Sequence, residues 1–213
     1  MAVKDTSPKR KAPAKKTSAK KAKKTKIASS MEFDKHPASG EKLSYGKQIL
    51  WVLATAKQLG MPGLENGKVM EYLGGLSPET KSVRGDIASI KKQNFMEQTT
   101  AKTSTIWTIT DAGSEHVATY VANLEEELSS AEVLEKLVAF CFSSPKESML
   151  VRHLWDGEVH TETELLEYCE ISSPQTKSYR DTLTKLKNFG YLEQLKGEDG
   201  EKAFQLVDKY RSE

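Results

Sequence analysis

From residue 43 onward, apolar positions fall into helical and strand periods in a fixed order. Ser44 is suited to cap a helix, and Ile49, Leu50, Val52, Leu53 and Leu59 after it give that helix one buried side. Gly60-Met61-Pro62-Gly63 ends it, and a short second helix carries Val69, Met70 and Leu73 before the Gly74-Gly75 turn. A third helix is expected from Ser77 as N-cap, with Pro78 at the first helical position. Its apolar face is Val83, Ile87 and Ile90. Phe95 to Gln98 and Thr105 to Ile109 then read as two strands around the polar tip Thr100-Ala101-Lys102-Thr103.

The same plan returns 96 residues later. Residues 77–98 and 173–194 share nine identities in 22 positions, and Ile87/Leu183, Ile90/Leu186, Phe95/Tyr191 and Met96/Leu192 exchange like for like. Chance would leave one or two identities at such an offset, so an internal duplication is inferred. In the second copy Ser144-Pro145-Lys146-Glu147 and Thr161-Glu162-Thr163-Glu164 read as capping boxes. The helix after Ser173-Pro174 turns Tyr179, Leu183 and Leu186 inward. Tyr191–Leu195 and Ala203–Val207 form its hairpin around the turn of residues 196–200. Between the copies, Val117, Val121, Leu124 and Leu128 line one side of an expected helix. Ser129 and Glu132 then form a capping box ahead of Ala131, Leu134, Leu137, Val138 and Cys141. These connecting helices either dock on the two copies or form a dimer interface, and docking is the favoured reading.

Three helices and a hairpin per copy predict a mainly α, α+β fold of two tandem winged-helix domains. The divisions are a tail and linker over 1–42, a first domain over 43–124 and a second over 125–213. Trp107-Thr108-Ile109-Thr110-Asp111-Ala112-Gly113 resembles the strand-to-helix junction of MarR-like winged-helix regulators. Phe204-Gln205-Leu206-Val207-Asp208-Lys209-Tyr210 echoes it but departs at Val207 and Tyr210, where Thr and Gly belong to the pattern. The resemblance implies a fold more than a function.

Charge divides the chain. The net charge is +2, yet residues 1–30 hold eleven Lys and Arg against one acid, a net +10. Residues 41–124 are nearly neutral, and residues 125–213 carry eleven bases against 19 acids, a net −8. The first 30 residues are mostly Lys, Ala, Ser, Thr and Pro without an aromatic, a composition expected to be disordered. The run Ser7 to Lys16 resembles linker-histone tails, which implies binding to the DNA backbone through Lys9, Arg10, Lys11, Lys15, Lys16, Lys20, Lys21, Lys23 and Lys24, and phosphorylation at Ser7. A nuclear-import signal or a solubilising extension is the simpler reading of the same run.

On the third helices, a turn of ~100° per residue places Lys81, Arg84, Gly85, Ala88 and Lys92 opposite the core, with Lys91 at the margin. The second copy offers Lys177, Arg180, Asp181, Thr184 and Asn188, with Lys187 marginal. Lys102 at the first wing tip suits a phosphate, whereas Glu198-Asp199 at the second does not. Simple solvation of an exposed helix face explains the same cations without a ligand.

Catalytic and cofactor signals are weak. Gly63 to Val69 is one residue short of a phosphate loop, lacks its Ser or Thr and follows a helix. His36, His116, His153 and His160 have no ligand spacing, so neither metal nor cofactor is expected. Glu125-Glu126-Glu127 reads as a solvated helix face, and Cys141 and Cys169 as core residues in a reducing compartment. No apolar run reaches the roughly 18 residues of a membrane span, and no secretory signal is expected at the N-terminus. The expected function is a non-enzymatic nuclear protein on double-stranded DNA or chromatin, with RNA as another candidate ligand. The rival is a protein–protein adaptor that binds its partner through the acidic second domain.

Overall fold

The structure is a computed structural model that describes residues 32–100, 104–124, 126–142, 144–197 and 200–207. The first copy runs α1 (Tyr45–Gln58), β1 (Leu64–Glu65), α2 (Asn66–Tyr72), α3 (Lys81–Lys92), β2 (Met96–Thr100) and β3 (Thr105–Ile109). Two connecting helices follow, α4 (Asp111–Ala118) and α5 (Ser130–Cys141). The second copy repeats the order with α6 (Pro145–Leu154), β4 (His160–Thr161), α7 (Glu162–Tyr168), α8 (Lys177–Asn188), β5 (Leu192–Lys196) and β6 (Lys202–Leu206). Among the described residues, these eight helices and two three-stranded antiparallel sheets, ordered β1-β3-β2 and β4-β6-β5, make an α+β fold.

The repeat extends to the backbone. Asn94 and Gly190, 96 residues apart, both take positive φ (58° and 76°) as the chain leaves α3 and α8. Gly74 (83°) and Glu170 (51°) do the same after α2 and α7. Matched hydrogen bonds hold the hairpins to the helices: Phe95 N–H donates to Ile90 O and Tyr191 N–H to Leu186 O, at 3.0 and 2.9 Å.

Several elements differ from the sequence expectation. The third helices begin at Lys81 and Lys177, not at the Ser-Pro pairs. Ser77 and Ser173 instead close turns, accepting the N–H of Thr80 and Thr176 at 3.0 Å on their carbonyls. Ser then Pro suits the first two positions of a turn as well as a helix start, and extended backbone at Thr80 and Thr176 (ψ 129° and 125°) separates turn from helix. Thr161 and Ser129 form complete capping boxes with Glu164 and Glu132, whereas Ser144 caps α6 without a side-chain bond. The helix expected through Leu128 stops at Ala118; Asn123 takes a left-handed φ of 64°, which interrupts a helix. Glu126 and Glu127 therefore lie in irregular chain, exposed, while Glu125 is outside the described residues. β1 and β4, each two residues long, were not expected.

α5 joins the copies into one core. Its buried face is Val133, Leu137, Phe140 and Cys141, rotated from the expected stripe, and Ala131 is exposed. The rotation turns the Phe140 ring onto Tyr72, stacked at 4.6 Å and 9°. Phe33, placed in the linker by its sequence context, is buried and meets Trp51, Tyr72 and Phe140 edge-on. The Tyr72 hydroxyl donates to Phe140 O at 2.6 Å, and Lys136 Nζ to Gln58 Oε1, also at 2.6 Å. The Tyr191 hydroxyl reaches back across 132 residues to donate to Leu59 O. The buried side chains of both copies form one continuous cluster. The connecting segment docks on the copies.

Candidate nucleic-acid interface

α3 is held against α1 by a close approach at Gly46. A Cβ on Gly46 would lie 3.2 Å from Ile90 Cγ2, and the Gly46 N–H donates to Asp86 Oδ2 at 2.9 Å. That bond matters to the opposite side of the helix. Asp86 is the one acid in the sequence of α3, and its carboxylate is committed to α1. Lys81, Arg84, Lys91 and Lys92 are all exposed, as are Gly85 and Ala88 among them. At 1.5 Å per residue, Lys81 to Lys92 extends for about 16 Å. A Cβ built on Gly85 meets nothing within 4 Å, so the strip is open to a close-fitting surface. Ile87, assigned inward, is only half-buried, whereas Val83 and Ile90 are buried.

Lys91 is not wholly free: its Nζ donates to Gln98 Oε1 at 2.8 Å, anchoring it over β2. Lys187 makes the equivalent bond to Gln194 at 2.8 Å. Lys177, Arg180 and Lys187 are exposed on α8, and Arg180 Nη1 donates to Gln175 Oε1 at 3.3 Å. The helices then diverge. Half-buried Asp181 stands where α3 has Gly85, and buried Thr182, bonded to Ser178 O at 2.9 Å, where α3 has Asp86. A hollow of about 300 Å³ lies beside α8, lined in part by Glu162, Arg180, Thr184, Lys187 and Lys202. Lys202 is 3.7 Å from Glu162, so acid and base alternate there. Lys102, Glu198, Asp199 and every tail cation (Lys9, Arg10, Lys11, Lys15, Lys16, Lys20, Lys21, Lys23 and Lys24) lie outside the described residues.

The Thr110 hydroxyl locks the strand-to-helix junction after β3. It donates to Asn94 O at 2.7 Å and accepts the Gly113 N–H at 3.0 Å. Gly113 is required because a Cβ there would sit 2.1 Å from Phe95 O. His116 of α4 stacks on Phe95 at 4.7 Å, and burial, then nearby Lys47, lowers its pKa. Both cysteines are free and buried; burial pushes the Cys141 thiol up to about 12, which removes thiolate chemistry at neutral pH. Lys68, in the first turn of α2, is paired with Glu71 at 2.7 Å.

The histidines require a correction. His153 and His160 do come together with Asp156, their ligand atoms all lying within 4.8 Å of one another. Helix, turn and strand fold this stretch back on itself, which a search for standard ligand spacing does not detect. Exposed Met149, Val159 and Tyr168 lie in the same copy.

No family model matches this chain, and no curated protein matches it either.

Proposed function

We propose that the chain is a non-enzymatic nuclear protein of two tandem winged-helix domains whose first copy docks α3 on double-stranded DNA. The observation that carries this reading is the exposed strip Lys81, Arg84, Lys91 and Lys92, with the one acid of α3, Asp86, bonded to α1. Helix termini and side chains of this kind can meet phosphates, and an Arg over an open Gly85 can approach a guanine edge. The helix is followed by an antiparallel hairpin, the arrangement in which a winged helix presents its third helix to a major groove. The +10 tail adds sequence-independent affinity by counterion release. RNA would meet the same tail charge, so duplex and single-stranded probes must be compared.

The second copy favours a protein partner. Asp181 adds a carboxylate where phosphate would approach, and Met149, Val159 and Tyr168 are 41%, 49% and 50% exposed. An adaptor that uses both copies as a scaffold is the rival function for the whole chain.

Fluorescence anisotropy with a DNA duplex tests the proposal. Lys81→Glu with Arg84→Glu should weaken binding at least tenfold, on the order of 1–3 kcal/mol. Lys177→Glu with Arg180→Glu should do much less. Removing residues 1–31 should flatten the salt dependence by up to about 0.9 in log–log slope for each phosphate released. No loss in either charge-reversed variant favours the adaptor.

A further inference from the structure

We infer that His153, Asp156 and His160 form a binding site for one divalent transition-metal ion, of which zinc is the type. The three residues fall within eight positions, His-x2-Asp-x3-His, yet each stands on a different element. His153 is in the last turn of α6, Asp156 in the turn that follows, and His160 in β4. Pairing of β4 with β6, His160 opposite Phe204, fixes the backbone of the third ligand. His160 Nε2 lies 2.9 and 3.0 Å from the two Asp156 carboxylate oxygens. The ring of His153 is 4.2 Å from that of His160, centroid to centroid, with the planes tilted by 41°.

A His–Asp pair alone would explain His160 and Asp156 but not the second imidazole, whose ligand atom lies within 4.8 Å of both. His153 is oriented by a flat stack on Tyr168, at 3.7 Å and 7°, which restricts ring rotation as outer partners of metal ligands do. Asp156 Oδ1 is oriented by the Glu158 N–H at 2.9 Å. Ligand atoms around a tetrahedral ion with bonds of ~2.0–2.1 Å lie about 3.3 Å apart. The trio, within 4.8 Å, therefore has to close by up to about 1.5 Å at its widest. The Asp156 side chain, 42% exposed, and half-buried His153 have room to do so; His160, 12% exposed, is the fixed member. Two imidazoles and one carboxylate select a first-row transition ion over calcium or magnesium, which prefer oxygen ligands. Exposure on the Asp156 side leaves water to complete the coordination.

The first copy provides an internal control. Its matching positions are Lys57, Gly60 and Leu64, none of which forms a comparable set. The site belongs to the second copy alone, and a bound ion would tie the end of α6 to β4.

The test uses the untagged full-length protein, freed of metal with a chelator and titrated with Zn²⁺ by calorimetry and with Co²⁺ by visible absorption. One ion per chain is expected at low micromolar Zn²⁺, with a rise in melting temperature. His153→Gln and His160→Leu, the latter placing the first copy's residue in β4, should each weaken binding at least tenfold and abolish the thermal shift. His116→Gln, remote from the trio in sequence and on the connecting helix α4, should change neither. Circular dichroism checks that the variants fold, and Asp156→Asn, at an exposed carboxylate, supplies a third loss should His160→Leu disturb β4. Absence of stoichiometric Zn²⁺ binding by the parent protein overturns the inference. Binding of equal strength in folded His153→Gln and Asp156→Asn also overturns it.

Discussion

Single residues reveal both the duplication and its divergence. Gly74 and Glu170 occupy one backbone position with positive φ, but only glycine adopts it without a steric penalty. For an L-residue the left-handed conformation costs roughly 1–2 kcal/mol, partly recovered against the greater unfolded-state freedom of glycine. Glu170→Gly should therefore raise stability by up to about 1 kcal/mol, and Gly74→Ala should lower it by a similar amount. Urea melts of the two variants measure both, and a neutral Gly74→Ala would show that the turn relaxes. The left-handed role of Gly74 was legible from its place at a helix end. The same role for Glu170 was not, because glutamate carries no such signal.

At the scale of elements, periodicity located helices better than it located their faces. Val83, Ile90, Tyr179, Leu183 and Leu186 are buried as their spacing predicts, but Ile87 is only half-buried and Leu183, its counterpart, is buried. Truncation costs follow burial. Leu183→Ala should destabilise by about 2–5 kcal/mol and Ile87→Ala by distinctly less, a contrast that the shared pattern of the two helices does not foretell. Equal losses in chemical denaturation would mean that α3 closes further over the sheet than its exposure indicates. The capping boxes at Ser129 and Thr161 were legible because each acts within one helical turn. The early stop of α4 and the starts at Lys81 and Lys177 depend on turn geometry that competes with helix capping for the same residues. The exposed basic strip of α3 was also legible, since it needs only a helical period and a core face. The grouping of His153, Asp156 and His160 was not: its members meet across three kinds of backbone, and no single period describes that path.

For the whole molecule, the main addition to the sequence picture is that the two copies share a core. Phe33, Tyr72 and Phe140 come from three distant segments, and their contacts are set by packing that no local pattern encodes. A boundary at residue 124 would make each copy melt by itself. The continuous cluster, with Tyr191 bonded to Leu59 and Tyr72 to Phe140, predicts one cooperative transition instead. Tryptophan fluorescence, reporting Trp51 and Trp107 in the first copy and Trp155 in the second, should then coincide with the loss of helical dichroism. Leu183→Ala should move every probe together. Tyr72→Ala removes a stacked ring and a buried hydrogen bond at the junction; it should cost about 3–5 kcal/mol, as loss of a large buried aromatic does. Removing residues 1–31 should leave the midpoint unchanged, whereas removing residues 1–40 takes Phe33 from the core and should lower it. Two separated transitions in the intact chain would show that the copies are thermodynamically independent and that the α5 contacts add little stability. Midpoints equal after both deletions would show the same of Phe33.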